Sequence, residues 1–233
     1  MSIEVPSADS AAQANNPLSP GNDPVLPRLL LMRHAQTVTN LGGYFSGTGD
    51  VEVSELGREQ SAAAVEGLVA WGPERIVTSP LSRARKMIAE PAGRALGVPV
   101  TVDERISEFD FGPLEGVRFA DAARRGLSLP WGPGSERWPQ LVEEAGTGET
   151  MEAFIARLAA AAAELECMEG RTAVICHGGV IRGLMCVWFG FGVEAINRLV
   201  VGNVSSALLR VAPGNVCLEA FGLQPEDLAA HSQ

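Results

Sequence analysis

Two of the three histidines in this chain come directly after short apolar runs and directly before small residues. His34 follows Leu29-Leu30-Leu31-Met32-Arg33 and precedes Ala35; His177 follows Thr172-Ala173-Val174-Ile175-Cys176 and precedes Gly178-Gly179. A core histidine satisfied by one hydrogen bond would explain either alone. The pair, with an arginine joined to the first, suits phosphoryl transfer. Without a metal, that chemistry needs a nucleophile, cations around the non-bridging oxygens and an acid for the leaving oxygen. A neutral His34 imidazole can attack phosphorus in line, and the forked, always charged guanidinium of Arg33 can hold two oxygens at once. Arg83, within Ser79-Pro80-Leu81-Ser82-Arg83-Ala84, can point to the same rim from the first turn of a helix. His177 adds a second imidazole, and the helix opening at Gly178-Gly179 adds the partial positive charge of its N-terminus.

The acid is sought in Glu108-Phe109-Asp110-Phe111-Gly112-Pro113-Leu114-Glu115-Gly116. Glu108 is the best candidate, because the two phenylalanines offer apolar surroundings that raise a carboxyl pKa by desolvation. Asp110 and Glu115 are rivals, and a solvated loop carboxylate is the plain alternative for each of the three.

These residues need elements to position them. Continuous apolar runs at 28–32, 75–78, 98–102 and 172–176 read as strands, buried on both faces. A helix is expected over 54–70, capped by Ser54, with Leu56, Ala63, Val65, Leu68 and Val69 recurring at helical intervals. Ser79 and Pro80 should open another helix as cap and first residue. An Ala-rich helix over 149–166, a helix from about Val180, and strands at 206–211 and 216–221 around Pro213-Gly214-Asn215 complete the pattern. Strands alternating with helices imply a layered α/β domain on a mostly parallel sheet, with ligands gathering beyond the carboxyl ends of its strands.

Residues 1–27, rich in Ser, Ala, Asn and Pro, read as a flexible tail, with partner docking as the alternative. Residues 28–233 form one domain, interrupted at 116–148 by an irregular insertion carrying Trp131 and Trp138, of the kind that builds lids or binding surfaces. The net charge of −10 argues against wrapping nucleic acid. No apolar stretch approaches the roughly 20 residues that span a bilayer, and no leader pattern opens the chain, so a cytoplasmic protein is expected. Cys167, Cys176, Cys186 and Cys217 read as reduced core residues. No HExxH, paired-Cys or clustered-Asp motif is present, so neither a metal nor another cofactor is expected and a metal-dependent hydrolase fares poorly. A homodimer is compatible with all of this.

From about Leu29 to Phe221 the chain resembles the histidine phosphatase superfamily, in its phosphoglycerate mutase-like branch 1. The strongest match is Arg33-His34-Ala35-Gln36-Thr37-Val38-Thr39-Asn40, similar to the family's Arg-His-Gly-x-Thr-x-x-Asn motif. Ser46-Gly47, Ser54-Glu55-Leu56-Gly57-Arg58-Glu59-Gln60, the Ser79 run, the Glu108 run and His177-Gly178-Gly179-Val180-Ile181-Arg182 agree in order and spacing. The resemblance implies a three-layer α/β/α sandwich and a phosphatase acting on a small phosphorylated metabolite through a phosphohistidine. It makes His34 the nucleophile and Glu108 the acid, has Arg33, Arg83 and His177 hold the phosphoryl group, makes Asn40 a further donor, and puts Ser46 and Gly47 beside the substrate. Ala35 departs from the family's usual glycine and requires a turn of negative φ.

Two other readings stay open. A mutase would need extra cations around the pocket, and Arg118, Arg124, Arg125 and Arg137 of the insertion could supply them, although the segment after Glu108 lacks the mutases' Asn-Glu-Arg-His-Tyr-Gly run. A catalytically idle, protein-binding relative is disfavoured because every required residue is present. The run Tyr44-Phe45-Ser46-Gly47-Thr48-Gly49-Asp50 resembles α-ribazole phosphatases, beside which phosphosugars and phosphoglycerate-type compounds are equally reasonable substrates.

Overall fold

The computed structural model describes residues 27–124 and 135–232. The tail up to residue 26, with Arg125 and Trp131 of the insertion, lies outside the described residues. Among the described residues, β1 (Arg28–Arg33), β2 (Arg75–Thr78), β3 (Val100–Val102), β4 (Arg171–Cys176), β5 (Ser206–Ala212) and β6 (Asn215–Leu223) form one sheet in the order β3-β2-β4-β1-β5-β6. β2 runs parallel to β3 and β4, and β4 parallel to β1; β5 is antiparallel to both β1 and β6. The expected mostly parallel sheet is therefore present, with β5 alone reversed.

The central strands are apolar at successive positions because both faces are covered. Leu29 and Leu31 of β1, with Val174 and Cys176 of β4, face one cluster, whereas Leu30 and Met32, with Ala173 and Ile175, face the other. Each fully buried aliphatic side chain of this kind contributes roughly 1.5–3 kcal/mol. The first cluster is closed by α7 (Met151–Leu165) and α8 (Gly178–Phe189) through Phe154, Leu158, Ile181 and Leu184. The second is closed by α2 (Glu55–Trp71), α4 (Glu90–Leu96) and a C-terminal 3-10 helix (Pro225–His231) through Leu68, Trp71, Ala92 and Leu228. Three layers result. Among the described residues no helix is long and apolar enough to cross a membrane.

Several expectations need correction. α2 is capped by Ser54, whose hydroxyl accepts from the Gly57 amide, but of the stripe assigned to it Leu68 is buried and Val65 half-buried, whereas Leu56 and Val69 are 49% and 42% exposed. Gly57, Ser61, Ala64 and Gly67 are buried beside Leu68, since small residues let a helix lie close to its neighbours. The helix expected from Ser79 begins instead at Ser82: α3 (Ser82–Ala84) continues through a π-helical turn (Arg85–Ala89) into α4. Ser79 is held elsewhere, as described below. The insertion is not wholly irregular, because α5 (Phe119–Arg124) and α6 (Trp138–Ala145) lie within it. Trp138 is 1% exposed and donates to the Glu149 carbonyl, which makes it a core residue rather than part of a lid. Of the four cysteines, Cys176 and Cys186 are buried but Cys167 is exposed and Cys217 only partly covered.

Gly67 shows how tightly α2 is seated. A Cβ there would lie 2.5 Å from the Pro225 carbonyl oxygen, backbone that cannot swing aside. Replacing glycine by alanine inside a helix ordinarily gains about 1 kcal/mol. Gly67→Ala is expected to reverse that sign and cost roughly 1–3 kcal/mol through overpacking, read as a lower urea midpoint at unchanged slope.

Candidate active site

The carboxyl ends of three adjacent parallel strands carry the site. Register pairs Arg33 with Cys176 across β1 and β4, and Thr78 with Ile175 across β2 and β4. His34 and His177 therefore emerge at one level of the sheet, and Ser79, which follows Thr78, stands level with Cys176, one residue before His177. The His34 amide donates to the Cys176 carbonyl at 3.0 Å and the Ser79 amide to the Ile175 carbonyl at 3.0 Å, which carries the pairing one step beyond the strands. The His34 and His177 ring centroids are 5.1 Å apart.

His34 is almost wholly buried, and its Nδ1 lies 2.6 Å from the Ala35 carbonyl oxygen. A carbonyl only accepts, so Nδ1 carries the proton and Nε2 keeps its lone pair. Burial, then the Arg83 and Arg33 charges, hold this imidazole well below the ordinary histidine range. His177 is held low by burial and by Arg83, His34, Arg33 and Arg157 in that order. Val204 is the one non-glycine residue of positive φ among the described residues, so Ala35 has the negative φ its side chain requires.

A cavity of about 400 Å³ opens here. Arg33, His34, Asn40, Ser46, Glu108, Gly178 and Arg182 form much of its polar lining, and Tyr44, Phe111 and Phe119 are part of its apolar wall. Arg33 donates from Nη1 to the Val201 carbonyl at 2.7 Å, and its buried Nε has no partner among the described residues. The Ser46 hydroxyl is likewise buried and unpartnered. Asn40 uses its side-chain oxygen to accept from the Thr37 amide at 3.2 Å, capping the short α1 (Val38–Gly42) and fixing where its amide group sits. The two Glu108 carboxylate oxygens accept from the Phe109 amide at 2.9 Å and the Gly179 amide at 3.0 Å. A Cβ at 179 would lie 2.3 Å from a Glu108 oxygen and displace that carboxylate from its place.

The structure separates the rival carboxylates. Asp110 accepts from the Gly112 amide at 2.8 Å, and Glu115 grips the Gly47 amide at 2.9 and 3.1 Å; neither lines the cavity. Gly47, expected beside the substrate, does not line it either. Its amide is taken by Glu115 and its carbonyl by Arg83 at 2.6 Å. Arg83 also donates to the Gly49 carbonyl at 2.8 Å. Arg83 and His177 are 1% and 0% exposed; Arg83 lies close enough to bias His34 electrostatically and the His177 ring stands beside it, but neither is among the lining residues.

Residues that the motifs did not single out complete the frame. Asn203 donates to the His34 carbonyl at 3.1 Å, and Arg157 of α7 donates to the Arg105, Ser107 and Glu108 carbonyls while paired with Glu149. The aliphatic run around Arg157 reads as an ordinary helix, and only the fold reveals the clasp. Among the described residues, no group of three or more His, Cys, Asp or Glu side chains is placed to hold a metal ion.

Comparison with known proteins gives a match to the model of the histidine phosphatase superfamily (branch 1) over residues 29–224. A glucosyl-3-phosphoglycerate phosphatase of Mycolicibacterium vanbaalenii is 41% identical over 106 residues, 45% of this chain and 47% of that protein. The alignment thus spans less than half of that relative. The enzyme of the same description from Mycobacterium tuberculosis is 34% identical over 169 residues, 67% of this chain and 73% of its own length. A solved mycobacterial glucosyl-3-phosphoglycerate phosphatase complexed with VO3 superimposes with a TM-score of 0.68 at 29% identity, covering 84% of this chain and 99% of that one.

The two depressed imidazoles make stability depend on pH. The unfolded chain takes up protons near pH 6.5, whereas the folded protein keeps both rings neutral well below that. The unfolded state therefore binds more protons under acid conditions. The contribution is whole above about pH 6.5 and is lost as pH falls below it, by up to about 1.4 kcal/mol per pH unit for each ring. Urea midpoints are expected to drop between pH 7.5 and 5.5, and less steeply in His34→Gln. Equal slopes in wild type and variant would show that His34 is not held neutral.

Proposed function

Because the chain belongs to branch 1 of the histidine phosphatase superfamily, we propose that it hydrolyses phosphate monoesters of small metabolites through a phosphohistidine on His34. The observation that carries this reading is the bond from His34 Nδ1 to the Ala35 carbonyl, which leaves Nε2 unprotonated in a cavity shared with Arg33 and Glu108.

The reaction has two steps. Nε2 of His34 attacks phosphorus, the phosphorus–ester oxygen bond breaks, and the carboxyl proton of Glu108 passes to the leaving alcohol. Water then attacks the phosphohistidine, its proton goes to the Glu108 carboxylate, the P–N bond breaks and inorganic phosphate departs. Arg33, with Asn40 and the Gly178 end of α8, holds the phosphoryl oxygens at the cavity, while Arg83 and His177 act from the buried flank of His34. Ser46 offers a further hydroxyl. The alcohol portion rests on Tyr44, Phe111 and Phe119, a wall suited to a group larger than a bare phosphate. The relatives' named substrate, a sugar-bearing phosphoglycerate, is one such ester.

Hydrolysis is favoured over mutase chemistry by the insertion's cations. Arg118 donates to the Tyr44 hydroxyl and lies over its ring, Arg124 pairs with Asp121, and neither these nor Arg137 line the cavity. A cytoplasmic setting fits the four free cysteines.

The test is phosphate release from a panel of phosphosugars, 3-phosphoglycerate, glucosyl-3-phosphoglycerate and α-ribazole phosphate. His34→Ala is expected to fall to background and to form no acid-labile phosphoprotein, whereas excess chelator leaves the wild type unaffected. Normal turnover by His34→Ala, or interconversion of phosphoglycerates faster than phosphate release, would overturn the proposal. Glu108→Gln is expected to lose about 10²–10⁴-fold on alkyl phosphates. It should lose far less on p-nitrophenyl phosphate, whose leaving group needs no proton.

A further inference from the structure

Ser79 is buried, and its hydroxyl makes two contacts among the described residues: it accepts from the Leu81 amide at 3.3 Å and lies 2.7 Å from His177 Nε2. A hydroxyl has one proton to give. The Leu81 amide can only donate, so the His177 nitrogen is the acceptor within reach. At the opposite side of the same ring, Nδ1 is buried and has no hydrogen-bond partner among the described residues.

We propose that Ser79 is a positioning residue that fixes the tautomer of His177: its hydroxyl donates to Nε2, so the ring carries its proton on Nδ1 and presents it as a donor to the bound phosphoryl group. The role in turnover rests on the phosphatase reading given above; the tautomer itself does not. Three features support it. Ser79 follows Thr78 directly and His177 stands two residues after Thr78's partner Ile175, on adjacent parallel strands, so their contact is set by register and not by a mobile loop. The ring is neutral, held so by burial and the neighbouring cations, and a neutral ring has one proton to place. An unpartnered buried donor is costly unless something completes it, and a phosphoryl oxygen would.

The same hydroxyl reaches a second part of the site. By accepting from Leu81 it shapes the turn leading into α3, which carries Arg83. One side chain thereby orients both groups that stand on the buried flank of His34.

With only three histidines in the chain, long-range ¹H–¹⁵N spectra of the free, full-length protein can assign each ring. Wild type is expected to show His177 protonated on Nδ1 with Nε2 bare. In Ser79→Ala that preference should collapse toward Nε2–H, with kcat reduced roughly tenfold to a hundredfold at little change in KM. Ser79→Thr, which keeps the hydroxyl, should restore both signals. An Nε2–H tautomer in the wild type overturns the assignment without recourse to any variant or substrate. A Ser79→Ala protein that keeps both the tautomer and kcat overturns it equally. If the wild type shows the expected tautomer but turns over no phosphate ester, it is the phosphatase reading that falls.

Discussion

The site depends on the parallel alignment of β2, β4 and β1 in adjacent positions. Parallel strands end on the same side of the sheet, so Ser79, His177 and His34, distant along the chain, emerge close together there. Register carries the precision. Because side chains alternate between faces, a slip of one residue on any of the three strands would turn its site residue toward the opposite layer and send each of its core side chains into the cluster shaped for the other set. The aliphatic residues filling both clusters thus enforce the geometry of the polar groups that follow them.

The second constraint is electrostatic. Arg33 and Arg83 are anchored by backbone carbonyls, of Val201 for the first and of Gly47 and Gly49 for the second. Carbonyl anchors orient a guanidinium without cancelling its charge. Arg157 is treated differently: it is paired with Glu149 through two bonds, so it clasps the segment leading to Glu108 as a structural tie. Burial first, and the charges at the site after it, keep the two imidazoles neutral, and the guanidiniums offer charge of the sign that a phosphoryl dianion requires. Burying such charge costs stability, and the layered core around it supplies the offset.

Much of this was legible in the sequence for a physical reason. A strand buried on both faces must be continuously apolar, so a histidine at its end stands out sharply, and the spacing of Arg33, His34 and His177 relative to their strands survives in the structure. Glu108 could be named only among three carboxylates, because what sets it apart is that it lines the cavity while Asp110 and Glu115 do not. What Gly47 does with its backbone was not legible either: its amide and carbonyl are taken by Glu115 and Arg83. The face of α2 was misread because periodicity weighs large apolar residues, whereas close helix packing selects glycine, serine and alanine. Ser79 looked like a helix cap since Ser-Pro is a common helix start, and nothing local reveals that its hydroxyl is claimed by a histidine nearly a hundred residues away.

The loop opposite the nucleophile shows what such an arrangement costs. Arg33 reaches the Val201 carbonyl, the Arg33 amide donates to Ser205, and Asn203 donates to the carbonyl of His34 itself. Between Asn203 and Ser205 stands Val204, a β-branched residue held at φ 52°. That conformation costs on the order of 1–3 kcal/mol for such a side chain. It persists because Val204 is also buried in the second core cluster, so the bonds to β1 and the packing of one side chain both oppose its relaxation. A glycine would relieve the backbone but surrender the anchor that keeps the loop against the strand. The strain therefore sits one residue from the amide that fixes the His34 carbonyl, where rigidity governs the line of attack on phosphorus.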